Sequence, residues 1–242
     1  MTRLSVNVNK IATLRNARGG GVPNLLELTR DIINFGADGI TVHPRPDERH
    51  ITYKDTLDLS KMIKEEFPSI EFNVEGYPSK KFISLIQETK PNQITLVPDS
   101  PGVLTSNQGW DVSKKKSYLT KVIKVLKTNN NRICLFVEPD PNIIKDVLET
   151  EADSIELFTG EYAHKFSINK HGIIKKYVET ANNAHQSNIG VNAGHDLNLD
   201  NLKFFNQSIK SLDEVSIGHA LICDAIYYGL ENTIHLYKRN LL

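Results

Sequence analysis

The chain has only two cysteines, no formal net charge and no long hydrophobic run, and each shortage excludes a class of protein. Cys134 and Cys223 have no CxxC pairing or Cys/His spacing, which argues against a disulfide scaffold, a thiolate metal site or a cysteine nucleophile. Their apolar neighbours predict that both are buried, reduced thiols. Lysine plus arginine (29) balances aspartate plus glutamate (29), which disfavours bulk binding to nucleic acid or a membrane surface and leaves room for a local basic pocket. No apolar run approaches the ~20 residues that cross a bilayer, and residues 1–10 lack the hydrophobic segment of a secretory signal. A soluble, intracellular protein is expected. Linkers, low-complexity tracts and Pro/Gly-rich hinges are also missing, so the 242 residues, 39% hydrophobic and 24% charged, predict a single domain spanning 1–242.

What is there is an alternation. Short apolar runs at 4–8, 39–43, 71–75, 93–98, 132–137, 154–157, 190–193 and 213–217 have the length and composition of strands. Between them lie stretches with apolar residues every three to four positions, such as Leu25, Leu28, Ile32 and Phe35, or Ile173, Ile174, Tyr177 and Ala181. The spacing recurs at 57–63, 82–86, 119–126, 143–148, 199–205 and 221–230. Strict alternation implies parallel strands joined by helical crossovers. Eight such units in roughly 250 residues predict a closed (β/α)8 barrel of the α/β class, with a doubly wound open sheet as the alternative.

A barrel places its reactive residues where strands end. Strand two runs into HPRPDERH, where His43, Arg45, Arg49 and His50 cluster around two prolines that have no amide N–H to offer. An anion held there must be bound by side chains, and arginine's planar fork suits phosphate. Other strand ends supply Asn7 and Asn9, followed by Lys10, Arg15 and Arg18; then Glu75, Thr105, Asp111, Glu138 and Glu156; then Asn192, His195 and His219. Carboxyls and imidazoles converging on one mouth suit proton transfer. VNAGHDLN and SIGHALICDAI each put a glycine, Gly194 and Gly218, where a strand is expected to turn into a helix whose amides approach a second anion. Two anion sites around one mouth suit two phosphorylated substrates. The Lys114, Lys115, Lys116 run reads as the solvated start of a helix.

The segments VNVNKIATLRNARGG, GADGITVHPRPDERHIT, FNVEGYP, KPNQITLVPD, SIELFTGEYA, VNAGHDLN and SIGHALI, in this order along almost the whole chain, resemble the pyridoxine 5'-phosphate synthases of deoxyxylulose-dependent vitamin B6 biosynthesis. The resemblance implies a TIM barrel with additional helices, a cytoplasmic homo-octamer, and no cofactor or metal. It implies condensation of 1-deoxy-D-xylulose 5-phosphate with 3-amino-2-oxopropyl phosphate to pyridoxine 5'-phosphate, phosphate and water. His43 and Glu75 would be proton acceptors, His195 the proton donor and Glu156 a transition-state stabiliser. Asn7, Arg18, Asp196, Gly218 and His219 would bind the aminooxopropyl phosphate, and Arg45, His50 and Thr105 the deoxyxylulose phosphate. The chain departs from the commoner pattern at Asn9-Lys10, usually Asp-His, and at Asp196, usually glycine. A carboxylate at 196 is expected to point away from the phosphate or to weaken its binding. Alternatives are a Lys10 Schiff-base mechanism, a metal-assisted phosphosugar epimerase or aldolase, and a noncatalytic phosphometabolite binder.

Overall fold

In each strand the odd and even positions face opposite sides, and here one side is apolar and the other polar. Leu4, Val6, Ile40, Val42, Val74, Ile94, Leu135, Ile155, Val191 and Val215 are fully buried, packed in the core cluster that includes the helices' apolar faces. Fully burying each such side chain contributes about 1.5–3 kcal/mol. The other side carries Ser5, Thr41, Asn73 and Thr95, which hydrogen-bond to one another across neighbouring strands. A sheet with one apolar and one polar face closes with the polar face inward when helices cover the outside.

The computed structural model, which describes residues 1–99, 106–128 and 130–242, has that closure. Strands β1 (Arg3–Asn7), β2 (Gly39–Val42), β3 (Glu71–Gly76), β4 (Gln93–Leu96), β5 (Arg132–Val137), β6 (Ser154–Phe158), β7 (Gly190–Gly194) and β8 (Glu214–Ile217) form a parallel barrel in sequence order. It is closed by β1 on β8, with Ser5 opposite Ser216. The (β/α)8 expectation holds and the open sheet is excluded.

Helices α1 (Asn9–Asn16), α2 (Leu25–Asn34), α3 (Tyr53–Glu66), α4 (Lys80–Thr89), α5 (Val112–Leu126), α6 (Ile144–Thr150), α7 (Gly160–Gln186), α8 (Leu202–Ser208), α9 (His219–Tyr228) and α10 (Leu230–Asn240) surround it. Their starts are written locally. Asn24 caps α2, Thr52 and Asp55 form a capping box on α3, and Ser79 caps α4. Asp111, one of the strand-end carboxylates, turns out to cap α5 and to pair with Lys114, so its role is structural. Non-helical Asn169 splits α7 into two helices, its side chain capping the second through the Gly172 amide at 3.0 Å.

The N-terminal end of the barrel is closed by charge. Arg132 donates to both oxygens of Glu71 at 2.7 and 2.8 Å and to Gln93 at 3.0 Å. Gln93 donates to Glu214 at 3.2 Å and accepts from Asn192 at 3.1 Å, while Arg3 lies 3.4 Å from Glu214 and 3.6 Å from Glu71. Burial pushes the Glu214 carboxyl up to about 8, reinforced by Glu71 and opposed by Arg3. Cys134 is buried in the interior as expected, whereas Cys223 is exposed on α9 with its Sγ 3.7 Å from His219 Nε2. Of its apolar neighbours only Leu221 and Ile222 turn inward, while Ile226 and Tyr227 share the exposed face of α9 with Cys223.

Candidate active site

At the opposite, C-terminal end the strands open onto a cavity of about 560 Å³, within the usual range for small-molecule sites. Asn7, His43, Arg45, His50, Glu75, Glu156, His195, Asp196, Gly218 and His219 all line it, with Asn9, Lys10 and Arg49. Arg18 is exposed in the turn after α1 and is not among the lining residues. Thr105 lies outside the described residues. Glu138 is exposed and accepts from the Gly109 amide, away from this lining.

Inward alternation carries Glu75 from β3 and Glu156 from β6 into the floor of the cavity, both buried. His43 follows β2, and its Nδ1 lies 3.7 Å from Glu75 Oε2. Asn9 holds the His43 backbone: its Oδ1 accepts from the His43 amide at 3.0 Å, while its own amide donates to Asn7 Oδ1 at 3.0 Å. The amide at position 9 therefore has a positioning task that needs an oxygen acceptor and not a charge.

The electrostatics correct the picture of a cationic loop. Burial, then Arg45, hold His43 well below the usual imidazole range. His50 falls to about 4, through burial first and then Arg45 and Lys10. Both imidazoles are therefore neutral at neutral pH. His50 Nδ1 accepts from the Ile51 amide at 2.9 Å, which places its ring proton on Nε2 as a donor. Arg45 pairs with buried Asp99 at 2.8 Å, an oxygen that also accepts from Ser106, and Arg49 pairs with Asp47 at 2.6 Å. The loop is thus close to electrically balanced. Glu75 is pushed up to about 8 by burial and then by Asp99, with Arg45 pulling the other way. Glu156 is raised well above the carboxylate range by burial, then by Glu75 and Glu214.

Two glycines were expected to open helices. Gly218 does, directly before α9. Gly194 does not, since residues 195–201 intervene before α8; its task is space. A Cβ there would lie 2.1 Å from Glu156 Oε1, so the carboxyl fits only against glycine. The next residue, His195, has φ +98, a costly left-handed backbone for a side-chain-bearing residue. Thr159 holds that turn: its hydroxyl donates to the Gly194 carbonyl at 2.6 Å and accepts from the Asp196 amide at 3.3 Å. Phe158 packs edge-on against the His195 ring at 5.2 Å. Thr159 and Asp99 carry no sequence signal beyond lying at strand ends. Their contributions run through a backbone turn and an ion pair that only the fold brings together.

A closed parallel barrel with polar groups gathered in a cavity at its C-terminal strand ends is the architecture of a (β/α)8-barrel enzyme. Two solved structures share that fold alone: a tryptophan synthase from M. tuberculosis (TM-score 0.66, 12% identity, covering 100% of this chain and 94% of that one) and the thiamine phosphate pyrophosphorylase from Pyrococcus furiosus (0.61, 12%, 99% and 95%). The family described as pyridoxal phosphate biosynthesis protein PdxJ matches residues 4–242. Two relatives named pyridoxine 5'-phosphate synthase, from Cytophaga hutchinsonii and Christiangramia forsetii, are 53% and 51% identical. The alignments cover 100% and 99% of this chain and 99% of each relative. The chain belongs to this PdxJ family and is a biosynthetic enzyme catalysing a ring-closing condensation.

Proposed function

We propose that the cavity condenses 1-deoxy-D-xylulose 5-phosphate with 3-amino-2-oxopropyl phosphate to pyridoxine 5'-phosphate, phosphate and water, by acid/base catalysis from the chain's own side chains. The single observation that carries the division of labour is the buried pair at the barrel mouth, His43 and Glu75 at 3.7 Å, facing Glu156 and His195 across one cavity. An amine attacking a ketone needs a base, departure of hydroxyl needs an acid, and enolisation and ring closure need further proton transfers. His43, neutral, has a lone pair ready to accept. Glu75, once ionised, is a much stronger base than an ordinary carboxylate because its conjugate acid sits at about 8. His195 is the donor. A cationic iminium beside Glu156 draws that carboxyl toward its ionised form, which then stabilises the cation.

His50 and Arg45 serve the deoxyxylulose phosphate, with Thr105 proposed from the resemblance. The α9 N-terminus at Gly218 and His219, with Asn7, serves the aminooxopropyl phosphate; Arg18 and Asp196 are assigned there by resemblance alone, since the Asp196 amide donates to Thr159. Holding both substrates in register supplies proximity. A cytoplasmic homo-octamer belongs to the same proposal. Ile226 and Tyr227, 73% and 84% exposed on α9, give it an apolar face to bury, and no helix among the described residues is long and apolar enough to cross a membrane. The deciding experiment incubates purified protein with both substrates and follows pyridoxine phosphate fluorescence. Product that requires both substrates is expected, and its absence overturns the proposal.

A further inference from the structure

Asp196 stands where the commoner pattern has glycine, and its carboxylate has a contact that neither expectation for it names. Its carboxylate turns back onto the residue before it, with Oδ2 2.9 Å from His195 Nδ1. The contact is close but lies off the line of a straight hydrogen bond. The backbone allows it because Thr159 pins the Gly194 carbonyl and the Asp196 amide from both sides, and Asn201 donates to the Asp196 carbonyl at 3.2 Å. Phe158 then limits how the ring tilts. The imidazole is thus held by its backbone, its edge and Nδ1.

We propose that Asp196 is a positioning residue acting through His195, keeping a proton on Nδ1 so that the proton delivered to the reaction is the one on Nε2. The proposal rests on the reading of His195 as the acid. In the step concerned, the Nε2–H bond breaks toward the hydroxyl oxygen of the condensed intermediate, the C–O bond breaks with its electron pair going to that oxygen, and the amine nitrogen's lone pair forms the C=N bond of the iminium. Water leaves, and the imidazole is left neutral with its remaining proton on Nδ1, facing a carboxylate that stabilises that tautomer. The pairing also lowers Asp196 below the ordinary carboxylate range, chiefly through His195, with His219 adding to it. A negative charge beside the Gly218 and His219 anion site is a cost to phosphate binding that pairing with His195 reduces.

The two effects have opposite kinetic signs, and a merely structural residue would not separate them. In Asp196→Asn, kcat should fall about tenfold, a part of the ~10²–10⁴ that a positioned acid supplies. The KM for the aminooxopropyl phosphate should stay level or fall, because a like charge has gone. Independently of turnover, ¹⁵N NMR of the imidazoles, with the His195 signals identified by their loss in His195→Asn, should show the Nδ1–H tautomer in the wild type and a mixture in Asp196→Asn. An unchanged tautomer in Asp196→Asn overturns the proposal, and inactivity of His195→Asn in the same experiment leaves the acid assignment standing. Full activity of His195→Asn overturns the acid assignment itself, whatever the tautomer.

Discussion

Both ends of this barrel bury a carboxyl that is pushed up to about 8: Glu214 at the N-terminal end and Glu75 at the C-terminal end. In each, burial is the largest cause and another acidic group adds to it. Their surroundings differ. Glu214 is tied to Gln93 and Arg3 in a network in which Arg132, Glu71 and Asn192 also take part. Glu75 meets a neutral imidazole at 3.7 Å and opens onto a cavity. A perturbed carboxyl therefore marks a site only where a substrate can reach it; knitted into a network, the same perturbation reflects a polar interior closed by charge.

The comparison breaks most visibly at the proposed base. Glu75→Gln should lower kcat by ~10²–10⁴, the worth of general acid/base catalysis, measured in the two-substrate assay. It should not lower the melting temperature at alkaline pH, because the folded wild type must there ionise a buried acid that the amide replaces. Gly194→Ala should follow: its Cβ would displace the Glu156 carboxyl, lowering kcat by ~10² through misplacement and costing about 1–3 kcal/mol from overpacking, read by urea unfolding. At the other end, Glu71→Gln should show the reverse profile. Losing the charge that accepts twice from Arg132 should cost about 1–3 kcal/mol and leave kcat/KM as it was. The smallest effect is one of slope. Glu214 has its folded pKa raised from 4.5 to about 8, so its contribution to stability is present below 4.5 and is lost as pH rises through about 8. Glu214→Gln should flatten the decline of stability across that window, and a slope equal to the wild type's would remove Glu214 from the account.

Much of this was legible in the chain because the barrel writes its outward face in apolar residues: all eight strand runs coincide with strands, with every end within two residues. Helix α1 was not, because only Ile11 and Ala12 of its eight residues are buried, too few to set a 3.6-residue period. Helix α10 was hidden behind α9, from which Gly229, at φ +74, divides it. Strand-end polar residues announced the cavity, and ten of the twelve proposed site residues line it. Charge state was not legible. HPRPDERH contains four basic side chains, yet burial discharges His43 and His50, and Asp99, fifty-four residues away in sequence from Arg45, balances that arginine. The turn at His195 was equally invisible, since Thr159 stabilises it from β6's end through a fold contact.

The most direct test of the contrast between the two ends is the pH dependence of kcat/KM, which reports ionisations of the free enzyme. Glu75 must lose its proton to act as a base, so the wild-type kcat/KM profile should carry a rising limb near 8. That limb should be missing from the residual activity of Glu75→Gln and intact in Glu214→Gln. A limb near 8 that survives in Glu75→Gln, or one that disappears in Glu214→Gln, would contradict the assignment of chemistry to the open end of the barrel and structure to the closed one.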